Sequence, residues 1–269
     1  MKELKPIGVQ LYSLRQAASQ DFVKVLKRVA DIGYVNVEPA GFWNMRPSVF
    51  KKVIDDLGLK IISSHTPWAH EPKELGQLMD IADILGLKNM VCGYRGDDFK
   101  DMDSIKRTAD NTRAMMEILQ RNGFQLFQHN HDFEFQRLDG RIKYDIYREL
   151  VGPGLKFEID CFWSTSLGKE DPVEMLKMFA KDTILLHMKD GHAEQRVVGN
   201  DMVNGILERH VELMPLGTGE LPIPALIEAA PEQVESVIVE LDSCIIDMDT
   251  AIEQSYHYLV DNHLAKGNK

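Results

Sequence analysis

Cysteine and positive charge are both scarce in this sequence. The three cysteines among 269 residues lie far apart, which excludes a disulfide framework and a CxxC metal site. Lys and Arg number 31 against 42 Asp and Glu, so the net charge is −11. A protein that binds the phosphate backbone of nucleic acid normally carries an excess or a dense stripe of positive charge. We therefore expect no nucleic acid partner.

Long apolar runs are also missing. No stretch approaches the ~18 consecutive apolar residues of a membrane-spanning helix, so we expect no membrane partner. The N-terminal residues lack the apolar segment of a signal peptide. The sequence thus predicts a cytoplasmic protein, with a protein whose signal peptide has been removed as the alternative. Its 44% apolar and 27% charged residues are typical of a globular domain.

A short β-rich run, a polar loop and an amphipathic helical stretch alternate along the chain. Helices are predicted at Phe22–Ile32, Pro47–Leu57, Pro72–Leu85, Ser104–Arg121 and Pro172–Ala180. Strands are predicted at Ile7–Tyr12, Tyr34–Pro39, Lys60–His65, Asn89–Gly93, Gln125–His131, Lys156–Ile159, Thr183–Met188 and Val237–Leu241. Such alternation implies parallel strands joined by crossover helices.

Eight β/α units in about 250 residues fit a closed barrel better than an open doubly wound sheet. The first strand is also not followed by the GxGxxG pattern of a dinucleotide-binding sheet. We predict the α/β class and a single (β/α)8 TIM barrel over residues 1–269. The long interval before the last strand predicts a loop insertion around residues 190–215, which could be a lid or a contact in a homo-oligomer.

Ionisable side chains stand at the predicted carboxyl ends of the strands, where such barrels keep their active sites. They are Glu38, His65, His129, His131, Asp160, His187, Lys189 and Glu240, with Glu134 just beyond the fifth strand. Side chains two apart share a strand face, which pairs His129 with His131, Glu158 with Asp160, His187 with Lys189 and Glu240 with Asp242. Carboxylates and histidines that converge in a dry barrel mouth suggest one divalent metal ion: Mn²⁺, Mg²⁺, Co²⁺ or Zn²⁺.

Each of these residues also has a structural explanation when it is taken alone. Asp160 could cap the helix that follows it, and Glu240 could pair with a barrel cation. Together with His187, however, they end three successive predicted strands, which favours a shared metal site. Three tryptophans, Trp43, Trp68 and Trp163, each follow a strand end and could either line a sugar pocket or only pack a loop.

The sequence resembles the sugar phosphate isomerase/epimerase family of xylose isomerase-like barrels. The stretches that carry the resemblance run in order across almost the whole chain. They are IGVQLYSLR from Ile7, VEPAGF from Val37, HNHDFEF from His129, FEIDCFW from Phe157, LLHMKD from Leu185, LGTGEL from Leu216 and VELD from Val239. The resemblance implies one divalent metal ion, held by residues at the ends of strands five to eight.

Asp160, His187 and Glu240 match the ligands that the family places on its last three strands. At the strand-five position, ketose epimerases of the family carry a glutamate that also transfers a proton. This chain has His129 there, and we expect His129 to be the ligand, with Glu134 kept as a ligand or a base. His131 matches the position of a catalytic histidine in the dehydratase members.

The resemblance implies a metal-dependent sugar isomerase or epimerase that abstracts a proton next to a carbonyl and passes through an enediolate. The alternative is a dehydratase or lyase acting on a keto-sugar or keto-glycoside. An abasic-site endonuclease and a non-catalytic sugar-binding barrel are further alternatives, and the acidic charge speaks against the first. The expected partner is a small-molecule sugar or keto-sugar.

Roles follow for the residues at the barrel mouth. The expected catalytic residues are His131, Glu134, Lys189 and Glu240; the expected substrate-binding residues are Glu38, His65 and Trp163; and the expected metal ligands are His129, Asp160, His187 and Glu240. Lys189 would stabilise the enediolate, while a glutamate and His131 would exchange the proton. The LGTGEL stretch could bind a phosphate, or it could only shape the loop before the last strand.

Overall fold

Eight parallel strands form one curved sheet with helices between them. The computed structural model describes residues 3–194 and 211–269 in full, and residues 200–203 and 206–209 as backbone only. The strands are β1 Ile7–Gln10, β2 Asn36–Glu38, β3 Lys60–Ile61, β4 Asn89–Cys92, β5 Gln125–His129, β6 Lys156–Asp160, β7 Thr183–Met188 and β8 Ser236–Val239. They lie in the order β3-β2-β1-β8-β7-β6-β5-β4, which confirms the predicted α/β barrel.

Helices connect consecutive strands and cover the outside of the sheet. They are α1 Arg15–Ile32, α2 Pro47–Asp56, α3 Leu75–Leu85, α4 Met102–Arg121, α5 Lys143–Val151, α6 Pro172–Phe179, α7 Ile223–Ala229 and α8 Met248–Asp261. In the part of the chain that the structure describes, no helix is both long and apolar enough to cross a membrane.

Helix α1 starts seven residues before the predicted Phe22, because two helical segments meet at a kink. Asp21 has non-helical dihedral angles, φ −155° and ψ 92°. Its Oδ1 accepts a hydrogen bond from the Lys24 backbone N–H at 3.0 Å, as an N-cap residue does. The predicted helix therefore corresponds to the second segment, with Asp21 as its cap.

The sheet closes through a single bridge rather than a ladder. The predicted strand Lys60–His65 pairs only over Lys60–Ile61, so that prediction was too long. The chain then reaches Pro67, which has no N–H to contribute to a ladder. An isolated parallel bridge between Ala69 and Cys92 joins this region to β4, with the Ala69 N–H donating to the Val91 carbonyl at 3.1 Å.

The inside of the barrel changes from apolar to ionisable along each strand. Phe127, Leu185 and Ile238 belong to a small apolar cluster of fully or almost fully buried residues. His129, His187 and Glu240 follow these three residues by two positions. Because side chains two apart share a face, the same inward faces carry apolar groups at the base and ionisable groups at the carboxyl end.

The insertion predicted around residues 190–215 folds back on itself. Asp190–Gly191 pairs antiparallel with Leu213–Met214, and Asn200–Val203 pairs with Ile206–Arg209. Residues 195–199, 204–205 and 210 of this insertion lie outside the described residues.

The Asp190 side chain organises the loop that contains the LGTGEL stretch. Its Oδ1 accepts hydrogen bonds from the backbone N–H groups of Gly191 and Leu221 at 2.9 and 3.0 Å. Its Oδ2 accepts hydrogen bonds from Gly217 and Gly219 at 2.8 and 3.0 Å. A Cβ atom on Gly219 would lie 2.2 Å from Asp190 Oδ1, so only glycine fits this close approach. Three backbone N–H groups of the LGTGEL stretch are thus occupied by the protein's own carboxylate.

Candidate active site

Parallel register places the ionisable residues of neighbouring strands side by side. Asp160 of β6 pairs with His187 of β7, and His129 of β5 pairs with Glu158 of β6. Glu240 follows β8, and its N–H donates to the Met188 carbonyl at 3.1 Å, which carries the sheet one step further. These residues therefore converge at the carboxyl end of the barrel.

Four of these side chains form the group that we call the upper set: His129, Asp160, His187 and Glu240. One ring nitrogen or carboxylate oxygen from each lies within 4.8 Å of the others, and all four residues are buried. The closest pair is His187 Nδ1 and Glu240 Oε2, 2.7 Å apart. This group is the ligand set that the sequence predicts, and its spacing and donor types could hold a metal ion.

Lys189 places a buried ammonium beside the upper set. Its Nζ lies 3.1 Å from Asp160 Oδ2, 2.9 Å from Glu240 Oε2 and 2.6 Å from Asp242 Oδ2. Burial alone would lower the pKa of Lys189, but these three carboxylates raise it well above its usual range. Lys189 is therefore charged. The contact between Asp242 and Lys189 was not predicted; the sequence indicated only that Asp242 shares a strand face with Glu240.

Asp160 uses its two oxygens differently. Oδ1 accepts hydrogen bonds from the Phe162 and Trp163 backbone N–H groups at 3.0 and 2.8 Å, so the capping role and the site role coexist. Among the described residues, Oδ2 accepts no hydrogen bond of favourable geometry, and its near neighbour is the Lys189 ammonium. Burial raises the pKa of Asp160 to about 6, against the opposing effect of Lys189. A buried carboxylate oxygen in this state suits a cation ligand.

A second layer, which we call the lower set, lies against the upper set and consists of Glu38, His65 and Glu158. His65 Nε2 lies 2.6 Å from Glu158 Oε2 and 3.2 Å from Glu38 Oε1. Glu38 also accepts hydrogen bonds from the Gln10 amide and the Ser63 hydroxyl, and its Oε1 lies 2.8 Å from His187 Nε2. The sequence assigned Glu38 and His65 to substrate binding. In the structure, Glu38 contacts the predicted ligand His187, and His65 contacts Glu38 and Glu158.

Glu158 is the central residue of the lower set, and sequence reasoning gave it no role. Its carboxylate contacts His65, His129 and His187. Burial alone would raise the pKa of Glu158, but these histidines hold it well below its usual range. The signal in the sequence was its position two residues before Asp160, which put both carboxylates on the inner face.

The two histidines of the upper set differ in their ionisation. Burial lowers the pKa of His129 to about 3, and one hydrogen bond to Glu158 does not compensate. Burial also acts on His187, but the carboxylates of Glu158, Glu38 and Glu240 outweigh it and raise the pKa well above the usual range. His129 is therefore a neutral ring, whereas His187 would have to release a proton when a metal ion binds.

Glu134 and His131 lie next to each other beyond β5. Glu134 Oε2 accepts the His131 backbone N–H at 2.9 Å, and burial raises the pKa of Glu134 to about 8. His131 is half-buried, and its ring centroid lies 5.2 Å from that of His129. Glu134 belongs to neither group of four candidate ligands found among the described residues, so the structure places it behind His131 rather than in the upper set.

Two tryptophans enclose the site. Trp163, which the sequence singled out, is almost fully buried, and the Lys189 ammonium lies 5.3 Å from its ring centroid. The Trp68 ring packs edge-on against His65, with the two ring centroids 4.9 Å apart. Gly93 allows this packing, because a Cβ atom there would lie 1.6 Å from the Trp68 ring.

A large cavity opens next to Lys189, on the side of β1, β2 and β8. Its volume is about 1510 Å³, and its lining includes Tyr12, Arg15, Trp43, Thr66 and Asp242. Asp242 also contacts Lys189, so it connects the cavity to the ionisable cluster. Half-buried aromatic rings next to charged groups suit a ligand that has both apolar and polar faces, as sugars do.

Comparison with known proteins gives the context of this site. A family model described as a xylose isomerase-like TIM barrel matches residues 26–244. No protein with a curated description matched the chain.

Solved structures share the whole fold. A sugar phosphate isomerase/epimerase from Parabacteroides distasonis superposes with a TM-score of 0.76 at 25% identity, over 98% of this chain and 96% of that one. An L-ribulose 3-epimerase gives a TM-score of 0.68 at 14% identity, over 97% and 95%. A protein named as the probable 3-DHS dehydratase of petrobactin synthesis in Bacillus anthracis gives 0.69 at 12% identity, over 95% and 98%. Because the family model spans most of the sequence, this chain belongs to the xylose isomerase-like TIM barrel family.

Proposed function

We propose that this protein isomerises or epimerises a sugar or keto-sugar by removing a proton next to a carbonyl, with one divalent metal ion as cofactor. The observation that carries the proposal is the convergence of His129, Asp160, His187 and Glu240 within 4.8 Å, next to a buried lysine. The names of the similar structures, a sugar phosphate isomerase/epimerase and an L-ribulose 3-epimerase, support this class of reaction.

The donor set fits a divalent cation. Two imidazoles and two carboxylates suit Mn²⁺, Co²⁺ or Zn²⁺. Among the described residues, the buried Asp160 Oδ2 accepts no well-formed hydrogen bond, so this oxygen could coordinate a cation. When bound, such an ion polarises a carbonyl group and orients the neighbouring hydroxyl.

The chain's own residues would move the proton and stabilise the charge. The Glu240 carboxylate is ionised, since Lys189 and His187 hold its pKa well below the usual range despite burial, and it is the proposed base. Lys189 would meet the negative charge that develops on the enediolate oxygen, because its ammonium is buried and held in place by three carboxylates. His131, half-buried beyond β5, is the proposed group that returns a proton.

The substrate is proposed to be a small sugar or keto-sugar that enters through the cavity beside Asp242. Trp43 and Tyr12 would pack against apolar ring faces there, and Arg15 would bind oxygen atoms. Trp163 would line the opposite side of Lys189.

Two measurements on one preparation test the proposal. Elemental analysis should find about one divalent ion per chain, and chelation should remove it. Incubation with ketoses and 3-keto-sugars in D₂O should give deuterium exchange next to the carbonyl only in the metal-loaded protein. Failure to bind any divalent ion would refute the proposal.

Substitution of one ligand sharpens this test. His187→Ala should abolish both metal binding and exchange, because the ring contacts Glu240 on one side and Glu38 on the other. His257→Ala is the matched control, since His257 is exposed on α8. Retention of both properties by His187→Ala would disprove the assigned site.

Dehydration of a keto-sugar is the second candidate. His131 supports it, because this half-buried ring stacks 6.3 Å from Trp68 at the mouth, where it could donate a proton to a leaving hydroxyl group. Glu240 would take the proton from carbon, the β-hydroxyl would leave as water, and an unsaturated ketone would remain. Mass spectrometry decides between the candidates, since dehydration lowers the mass of the product by one water and isomerisation leaves it unchanged.

A further inference from the structure

Glu158 is a buried carboxylate surrounded by three imidazoles. It has no exposed surface, and it lies on β6 two residues before Asp160. A carboxylate in such a position is costly unless its oxygens are matched by donors or cations. The identity of those donors therefore indicates what the residue does.

Each Glu158 oxygen faces a ring nitrogen of a proposed metal ligand. Oε2 lies 3.2 Å from His129 Nδ1, and Oε1 lies 3.2 Å from His187 Nε2. Oε2 also lies 2.6 Å from His65 Nε2, which anchors the carboxylate on its far side. Among the described residues, Oε2 forms the hydrogen bonds, whereas Oε1 accepts none of favourable geometry and acts on His187 Nε2 as a nearby charge.

In each ring, one nitrogen faces Glu158 (the inner nitrogen) and the other faces away from it (the outer nitrogen). The outer nitrogen is Nδ1 in His187 and Nε2 in His129. His187 directs Nδ1 towards Glu240, at 2.7 Å, and Nε2 towards Glu158. His129 directs Nδ1 towards Glu158, which leaves Nε2 as its outer nitrogen. A carboxylate that accepts the N–H of a ligand histidine fixes both the tautomer and the orientation of that ring.

We infer that Glu158 is a positioning residue that makes His129 bind the cation through Nε2 and, together with Glu38, makes His187 bind it through Nδ1. The inference rests on the function proposed above, because it presumes a cation in the upper set. Glu158 would accept the Nδ1–H of His129, while the Nε2–H of His187 would be donated to Glu38 with the Glu158 carboxylate 3.2 Å away, and Glu158 would itself not be a ligand.

The two histidines depend on Glu158 to different degrees. His187 Nε2 also lies 2.8 Å from Glu38 Oε1, and hydrogen bonds from Gln10 and Ser63 fix Glu38. In the described contacts, His129 Nδ1 has Glu158 as its carboxylate partner. Loss of Glu158 should therefore disturb His129 more than His187.

The alternative to hydrogen bonds between Glu158 and the imidazoles is a second cation bound among these same residues. His65, His129, Glu158 and His187 also offer one atom each within 4.8 Å. A cation there would need the inner nitrogens of both rings, whose outer nitrogens already serve the upper set. Each ring would then have to lose both of its protons, which is unfavourable for an imidazole. The geometry consequently favours hydrogen bonding over a second ion.

Long-range ¹H–¹⁵N NMR spectra of the Zn²⁺-loaded protein test the tautomers directly. We expect the proton on Nδ1 of His129 and on Nε2 of His187, with the metal-bound nitrogen being the other one in each ring. Assignment comes from spectra of the His129→Gln and His187→Gln variants. A proton on Nε2 of His129 or on Nδ1 of His187 would overturn the inference.

Metal affinity tests the consequence of losing the carboxylate. Glu158→Gln keeps the shape but leaves one acceptor oxygen for three imidazoles, and it should weaken Co²⁺ binding by about 10- to 100-fold. The visible Co²⁺ spectrum should change as well, because the His129 ring is released. Glu117→Gln is the control: it makes the same change at an exposed glutamate on α4, and should leave Co²⁺ affinity unchanged.

The outcomes separate this inference from the proposed function. Equal Co²⁺ affinity in wild type and Glu158→Gln would overturn the positioning role while the metal site stands. Two ions per wild-type chain would overturn it in favour of the second cation. No ion in the wild-type protein would overturn the proposed function, and the positioning role with it. If Glu158→Gln does not fold, the NMR spectra of the wild type still decide.

Discussion

Lys189 is the residue on which the charge balance of the site depends. It is almost fully buried, and its ammonium contacts Asp160, Glu240 and Asp242. Three carboxylates around one cation are stable only while that cation remains. Removal of one partner from a buried ion pair leaves an uncompensated charge, which is worse than the absence of the whole pair.

Lys189→Met should therefore destabilise the chelated protein by about 3–5 kcal/mol. Urea unfolding at neutral pH measures the change. Lys52→Met is the control: Lys52 pairs with Asp56 at 2.7 Å on the exposed surface of α2, and its loss should change stability by less than about 1 kcal/mol. Similar losses in the two variants would contradict the buried network.

Glu134 should give the protein a pH dependence of its own. Burial raises its pKa to about 8, above the ordinary value of 4.5 for a glutamate. Between these values the unfolded chain has lost a proton that the folded chain keeps, so rising pH favours unfolding. Relative to Glu134→Gln, wild type should lose stability from about pH 4.5 to pH 8, by an amount on the order of a few kcal/mol.

Chemical unfolding of both proteins at several pH values measures this difference. The two unfolding free energies should diverge as pH rises and then run parallel above about pH 8. A constant difference across the whole range would show that Glu134 is ionised in the folded protein.

From the sequence one can predict which ionisable side chains lie at the barrel mouth, but not which of them contact one another. Strand-end position and alternation were enough to bring Asp160, His187, Lys189 and Glu240 together, because parallel strands share a carboxyl edge. Glu158 escaped assignment, since alternation specifies which face a side chain occupies and not which imidazoles it meets across the barrel. That information depends on register between β5, β6 and β7.

At the scale of the elements, one glycine lets the segment that follows β3 pack against the end of β4. Trp68 packs against His65 and His129, and a Cβ atom on Gly93 would lie 1.6 Å from its ring. Glycine thus creates the space in which the indole covers the two imidazoles.

Gly93→Ala should displace Trp68 and destabilise the protein by about 1–3 kcal/mol, as overpacking does. Near-ultraviolet circular dichroism should report the displaced indole, and urea unfolding the stability. Gly76→Ala is the matched control, because Gly76 lies in α3 with nothing within 4 Å of a new Cβ atom. Alanine there should stabilise by up to about 1 kcal/mol, so the two substitutions should differ in sign.

Element boundaries show where local patterns lose to tertiary contacts. The helix predicted from Phe22 corresponds to a real segment because Asp21 caps it, yet Arg15–Gln20 is also helical and joins it across the kink. The strand predicted over Lys60–His65 contains β-favouring residues but pairs over only two of them. A sequence window registers propensity, whereas the ladder requires a neighbour at the right distance.

At the scale of the whole molecule, the barrel gathers negative charge at one end. Glu38, Glu158, Asp160 and Glu240 are all buried around the histidines there. A cation that binds the folded chain and not the unfolded chain stabilises it by mass action.

Mn²⁺ or Co²⁺ should therefore raise the unfolding free energy by about 2.7 kcal/mol when free metal is a hundredfold above its Kd. Thermal melts with metal and after EDTA treatment measure the shift. His187→Ala should show no shift, because it lacks a ligand. An equal shift in that variant would indicate metal binding elsewhere on the acidic surface.

The order of eight strands followed from the repeated β/α pattern, because right-handed crossovers leave few alternatives. The closure between β3 and β4 did not, since a single bridge at Ala69 and Cys92 replaces a ladder there. A bridge of this kind depends on how the barrel curves, and curvature arises from the packing of all eight units.

The hydrogen bonds of Asp190 have a consequence for substrate choice. A loop of backbone N–H groups is a receptor for oxyanions, and here the receptor is filled by a carboxylate tethered to the same chain. Because Asp190 is tethered to the same chain, its carboxylate competes for these N–H groups at an effective concentration in the millimolar range or above. A free phosphate ester would have to exceed that concentration to displace it. The N–H groups of Gly217, Gly219 and Leu221 already donate to Asp190, so a phosphorylated sugar would need its counter-charge from side chains such as Arg15.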